Sequence, residues 1–401
     1  MTTGGLSSKG LARVKDALAR YVDSGFAPGA IAVVARHGAV HVESVGNLAF
    51  EGASSSTPMA ADTICRLGSM TKPIVAACAM TLVEDCTLRL DDPVDALLPE
   101  LANMNVLADP NGPLEDTVPA NRPITLRDLL TYTLGTGMTV GAASGTAPIS
   151  DALGPLQSPP LGALQPSPDE WIRRLGEIPL VYQPGERWMY DLAANVTAVL
   201  IARATGKSFG EALRERVCAP LGMQDTGFSV GGERIGRLAT AYARDDATGG
   251  VVVEDGPDGR WSRPPAFESG GGGLVSTAAD WLAFASALLA GGTHRGERVL
   301  SRPSVTLMTS DHLTPAQKAV SGFWPGYFED IGWGFGMAVR TRRTHLGPSV
   351  GSYGWNGYYG TVWYNDPAED MTTILMIQRA EPPWLPIYLD FWTSVYQAID
   401  D

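Results

Sequence analysis

The residues best placed to do covalent chemistry lie in "CRLGSMTKPIVAACAM", Cys65 to Met80. Lysine occurs five times in 401 residues, and only Lys72 has a serine three positions before it. Residues i and i+3 share a helical face, so the Ser69 hydroxyl and the Lys72 amine can meet. Pro73 is tolerated if Ser69 opens the helix, because first-turn N–H groups lack intrahelical partners. A serine there lies beside backbone amides and the positive end of the helix dipole, which suits a developing oxyanion. The apolar run Ile74, Val75, Ala76 and Ala77 predicts burial of the amine. Moving a lysine pKa down from about 10.4 by about three pH units costs roughly 4 kcal/mol. Burial plus a neighbouring cation or phenol would supply that, so an uncharged Lys72 acting as base is the expectation. The plainer reading is a chance S-x-x-K match in a chain of ordinary composition.

A second candidate is "PGERWMYDLAANV", Pro184 to Val196, where a Pro-Gly turn leads into a helix with Tyr190 near its start. A phenol can take the serine's proton or give one to a leaving group. It can equally be a core aromatic with a satisfied hydroxyl, and Asp191 reads as a first-turn carboxylate favouring the helix dipole. The third candidate, "SYGWNGYYGTVWYNDP", holds glycines inside a strand, which allow either a bulge or a close approach by another group. Other motifs lead nowhere. "GPSVG" around Ser349 matches G-x-S-x-G, but that pattern needs a histidine later in the chain, and the last is His345. His37 and His41 straddle a hairpin, and His294, His312 and His345 are scattered, so no metal site and no cofactor are expected. Met70, Met80 and Cys65 read as core.

The elements that must position these groups are legible in outline. "LARVKDALARYVDSG" has helical spacing and stops at glycine. "GAIAVVARHGAVHVESVG" reads as two strands turning at His37-Gly38. Residues 90–225 read as mostly helical, with Thr125-x-x-Asp128 as a start signal and Ser167 to Glu170 and Ser208 to Glu211 as capping boxes. Between them "GTGMTVGAASGTAPISDALGPLQSPPLGALQPSP" reads as a long loop of the lid or binding type. "ESGGGGLVSTAADWLAFASALLAGG" gives a glycine bend and a helix capped by Thr277. "WGFGMAVRT", "GTVWYND" and "TTILMIQRA" read as strands, and "LPIYLDFWTSVYQAI" as a final helix. Strands near both termini imply a sheet domain, 1–75 with 266–401, interrupted by a mainly helical domain, 76–265, with the site in the cleft between.

Composition sets the outer limits. Hydrophobic residues make up 44% of the chain, enough for a large core. The formal net charge of −13 argues against nucleic-acid binding. The absence of a long apolar run argues against a membrane span. No secretory signal is visible, and four cysteines without C-x-x-C spacing suit a reduced cytoplasmic protein.

"SMTK", "YDL" and "WNGYYGT", in that order, resemble the serine β-lactamase and penicillin-recognising superfamily. Within it the chain is most similar to class C β-lactamase-like carboxylesterases (family VIII). The likeness extends through "ITLRDLLTYTLG", "YQPGERWMY", "GLVSTAADWLAFASALLAGG" and "NDPAEDMTTILMIQR". It implies an α/β (α+β) β-lactamase-like fold, an antiparallel sheet flanked by helices beside a helical domain. It implies Ser69 as acylated nucleophile, Lys72 as proton acceptor or orienting cation, and Tyr190 as general base and acid. The K-T-G strand corresponds to Trp355, Asn356 and Gly357, and the oxyanion hole to the backbone N–H groups of Ser69 and Tyr358. Two positions depart from the β-lactamase pattern: Leu192 stands where asparagine is usual, and Trp355 where lysine is. An indole carries no charge and a single donor, too little to offset desolvation of a substrate carboxylate. Neutral, apolar acyl groups, and hence a small-molecule ester, fit better than penicillins, unless Arg342 or Arg343 supplies the missing cation. Trp188, Tyr190, Trp355, Tyr358 and "SGFWPGYFEDIGW" are the expected pocket lining.

Overall fold

The computed structural model describes residues 4–138, 147–157, 166–245, 247–380 and 386–401. The centre is a seven-stranded, wholly antiparallel sheet. Its strands are β1 (Gly29–Arg36), β2 (Ala39–Gly46), β3 (Ile331–Trp333), β4 (Ala338–Arg340), β5 (Tyr353–Gly357), β6 (Thr361–Asp366) and β7 (Met371–Ile377), in the order β3-β4-β5-β6-β7-β1-β2. Within this sheet the first strand in chain order pairs with the last, Ala30 opposite Ile377 and Arg36 opposite Met371. The β1–β2 turn is His37-Gly38, both at positive φ (49° and 77°), as a two-residue hairpin demands.

Alternate residues of β1 serve opposite faces, so both faces are buried. Ala30, Ala32 and Val34 meet the terminal helices α1 (Ser8–Asp23) and α8 (Pro386–Tyr396) through Leu18, Phe391 and Val395. Ile31 and Val33 face the larger core, which contains α2 (Thr71–Glu84). Helix α2 is buried from Thr71 to Leu82 and apolar all round, as befits a central helix. The same core takes in residues of α3 (Leu126–Thr131), α4 (Pro148–Leu153), α5 (Pro168–Gly176), α6 (Leu192–Thr205) and α7 (Ala278–Leu289), of which α6 packs on α2 itself. No helix among the described residues is long and apolar enough to cross a membrane.

The caps at Thr125, Ser208 and Thr277 form as the sequence indicates. Ser167 caps α5, but Glu170 turns to Arg173 and Arg174 instead of closing a reciprocal box. The segment read as one long loop contains α4, started by Pro148 at its first position; residues 139–146 and 158–165 of that reading lie outside the described residues.

Candidate active site

Ser69 lies in a 3₁₀ turn, Gly68–Met70, that runs directly into α2. The strand before it, Ile64–Arg66, pairs with Val275–Thr277, and the Leu67 N–H donates to the Leu274 carbonyl. Arg66 pins this segment: it is fully buried, donates to Asp255 and the Ala239 carbonyl, and lies over the Trp261 ring. The C-terminal end of β5 crosses immediately above. Thr361 Oγ1 donates to the Leu67 carbonyl (2.7 Å), and a Cβ on Gly68 would lie 2.7 Å from the Tyr358 backbone nitrogen. Gly68 also sits at φ +55°. Glycine is thus required there by conformation and by the approach of Tyr358, which brings the two expected oxyanion donors beside one another. We expect Gly68→Ala to lower kcat about 10²–10³-fold, the value of one oxyanion donor, with a smaller change in KM. Steady-state kinetics on an activated ester test this.

Lys72 is 1% exposed, and its amine is fully engaged. It donates to Ser69 Oγ at 3.0 Å, to Asp191 Oδ1 at 2.7 Å and to the Gly271 carbonyl. Burial pulls the ammonium down, but the Asp191 carboxylate and then Tyr190 outweigh it and hold Lys72 above its ordinary value. The expected uncharged lysine is therefore corrected. Lys72 is a cation at rest, because burial delivers a carboxylate along with the apolar walls.

Asp191 is the functional residue that sequence reasoning misassigned. It makes no capping bond to α6. It is the centre of a γ-turn with φ 84° and ψ −67°, closed by the Leu192 N–H on the Tyr190 carbonyl (3.3 Å). Such a turn is rare and strained, costing of order 1–3 kcal/mol. It places Tyr190 and Asp191 on either side of one lysine. The Lys72 amine is 4.5 Å from the Tyr190 ring centre. Trp355 Nε1 donates to the Tyr190 hydroxyl at 2.7 Å. Burial raises the phenol above its ordinary value, while Lys72, Ser69 and Trp355 each oppose the rise. Tyr190 is thus a neutral phenol whose deprotonated form has donors already in place.

The Gly271 carbonyl is held by Asn195, whose Oδ1 accepts from the Gly271 N–H and Ser269 Oγ, both at 2.9 Å. The glycine run therefore supplies a carbonyl acceptor for Lys72 as well as a bend.

Ser69 lies where two cavities meet. The larger, about 630 Å³, is lined by Tyr190, Phe323, Trp324, Tyr327, Trp355 and Asn356 among others. The smaller, about 360 Å³, is lined by Asn195, Glu254, Arg260, Trp261, Phe267 and Ser269 among others. Ser69, Asp191 and Tyr358 border both, and Gly357 borders the larger. Trp188 is corrected: it is 3% exposed and lines neither cavity. It packs against the Tyr190 ring at 5.6 Å and against Phe323, Tyr327 and Trp333. Arg342 and Arg343 are also absent from both linings. Arg342 pairs with Glu329, and Arg343 donates to Ser349 Oγ. Arg340 does reach the larger cavity, where Asp330 holds it at 2.6 Å. Ser349 is buried in a turn, its N–H on Asp366, with no histidine in the role of base. Among the described residues no group of three His, Cys, Asp or Glu could hold a metal ion.

The family model "Beta-lactamase" matches residues 14–391. Protein Rv1367c of Mycobacterium tuberculosis is 39% identical over 363 residues, 89% of this chain and 87% of that protein. Esterase EstB of Burkholderia gladioli is 33% identical, over 88% of this chain and 86% of its own. The solved structure of EstCE1, described as a hydrolase with promiscuous acyltransferase activity, superposes with a TM-score of 0.77 at 26% identity, covering 97% of this chain and 99% of that one. With its antiparallel sheet and surrounding helices, the chain has the β-lactamase-like fold and belongs to the Beta-lactamase family.

Proposed function

We propose that the protein is a serine carboxylesterase that cleaves small or medium esters through an acyl group on Ser69. The observation that carries this reading is the hydrogen bond between Lys72 Nζ and Ser69 Oγ, with the Tyr190 ring 4.5 Å from the same amine, at the junction of two cavities. The named relatives, an esterase and a hydrolase with acyl-transfer activity, support it.

In this reading Ser69 Oγ attacks the ester carbonyl, and the oxygen charge forms against the N–H groups of Ser69 and Tyr358. Tyr190 takes the serine proton as its own proton passes to the departing alkoxide, so the phenol acts as base and acid in one relay. Lys72 stays protonated, orients Ser69 and stabilises negative charge on the phenol oxygen, which Trp355 also contacts. Water, or another alcohol, then repeats the sequence in reverse and frees Ser69. The oxyanion donors contribute about 10²–10³ in rate and the proton relay about 10²–10⁴.

The leaving alcohol must lie within reach of the Tyr190 proton, and Tyr190 lines the larger cavity. That aromatic space therefore takes the alcohol half, and the smaller cavity takes the acyl half. The apolar character contributed by Trp355 belongs on the alcohol side. Because Trp355 spends its one donor on Tyr190, none remains for a carboxylate there.

Acyl transfer to an alcohol is a second reading, favoured by the size and aromatic lining of the cavity beside Tyr190. Rates on p-nitrophenyl butyrate, nitrocefin and a D-alanine amide, with and without added alcohol, test both. The ester should turn over at least about 10²-fold faster than nitrocefin or the amide. A nitrocefin rate matching the ester rate would overturn the esterase reading. New ester formed from added alcohol would establish transfer.

A further inference from the structure

We propose that the smaller cavity selects acyl chains that carry a neutral carbonyl group, read by the side-chain amide of Asn195; this rests on the esterase reading above. Asn195 lies in the first turn of α6, is 3% exposed and borders the cavity that Ser69 opens into. Its Oδ1 is fully used, since it accepts from the Gly271 N–H and from Ser269 Oγ, both at 2.9 Å. Those two bonds fix the orientation of the amide and leave the two N–H donors of Nδ2. Neither donates to a described residue, and Nδ2 is not among the unbonded side-chain atoms sealed from solvent, so the surface it keeps faces the cavity. A Cβ on Gly271 would lie 3.2 Å from Asp191 Oδ1 and 3.5 Å from Asn195 Nδ2. The amide therefore stands beside the oxygen that holds Lys72.

Much of the surrounding wall has no donor to give. Trp171 and Phe267 stack at 5.3 Å. The indole N–H groups of Trp171 and Trp261 are spent on the Leu156 and Gly273 carbonyls, at 3.0 and 2.7 Å. An acyl chain entering this space displaces water from it. A wholly apolar chain then leaves Nδ2 unbonded, which is costly, whereas a ketone or amide oxygen on the chain accepts from it. Because Nδ2 only donates, the group it selects is an acceptor. Asn195 thus has two separable tasks: Oδ1 holds the glycine run whose carbonyl Lys72 uses, and Nδ2 reads the acyl chain.

The test compares the p-nitrophenyl esters of 4-oxopentanoate and 4-methylpentanoate, which share a shape and differ in the acceptor, and likewise 5-oxohexanoate and 5-methylhexanoate. The ratio of kcat/KM, oxo over methyl, is taken within each variant so that a general loss of activity cancels, and intrinsic ester reactivity cancels between variants. The wild type should favour the oxo ester by about tenfold in at least one pair. Asn195→Asp keeps an acceptor for Gly271 and Ser269 but loses both donors, and should bring that ratio to one or below. Asn195→Ala, which carries no charge, should bring it near one. No oxo preference in the wild type, or one that survives in either variant, overturns the proposal while the esterase reading stands. Failure of the wild type to cleave any of the four esters overturns both.

Discussion

Ser69→Ala should reduce cleavage of p-nitrophenyl butyrate by at least about 10³-fold, because no neighbouring group can replace the lost nucleophile. The fold should survive. Lys72 keeps Asp191 and the Gly271 carbonyl as partners, and Tyr190 keeps Trp355. The thermal midpoint should therefore stay within a few degrees of wild type, separating lost chemistry from lost structure. Residual activity within tenfold of wild type would remove Ser69 from the mechanism.

The second large effect is expected at Asp191. Asn at this position fits the same shape and tolerates positive φ, so Asp191→Asn isolates the charge. Breaking a buried ion pair from one side typically costs about 3–5 kcal/mol, and part of this is relieved if Lys72 sheds its proton. Urea unfolding should register the loss. Activity should fall about 10²-fold, since an uncharged Lys72 no longer supports charge on the Tyr190 oxygen. The pH dependence has a definite sign. Lys72 is raised above its ordinary value of 10.5 in the folded protein. Its interaction therefore stabilises fully below that pH and is lost as pH rises through the folded value. The stability gap between wild type and Asp191→Asn should accordingly hold from neutrality to about pH 10 and narrow only above it. Equal unfolding midpoints at pH 7 would contradict the pairing.

What the sequence disclosed depended on how local the determinant was. Ser69 and Lys72 meet because helical spacing alone brings i and i+3 together. The β1–β2 hairpin and the caps at Thr125 and Thr277 are likewise short-range, and they form as read. Asp191 escaped because a γ-turn, invisible in residue types, rotates it away from α6 and toward Lys72. That rotation also explains the error over the lysine's charge: apolar neighbours were legible, but the carboxylate 119 positions away was not. Trp188 was misplaced because aromatic content does not distinguish a wall from the packing behind it. Only the structure puts Tyr190 in front.

The central claim is that one serine, activated by a phenol and a buried ammonium, becomes acylated. Treating the wild-type protein with a fluorophosphonate and mapping the modified peptide by mass spectrometry tests it most directly. A single adduct on Ser69, absent from Ser69→Ala, is the predicted result. An adduct on Ser349, or labelling that persists in Ser69→Ala, would contradict it.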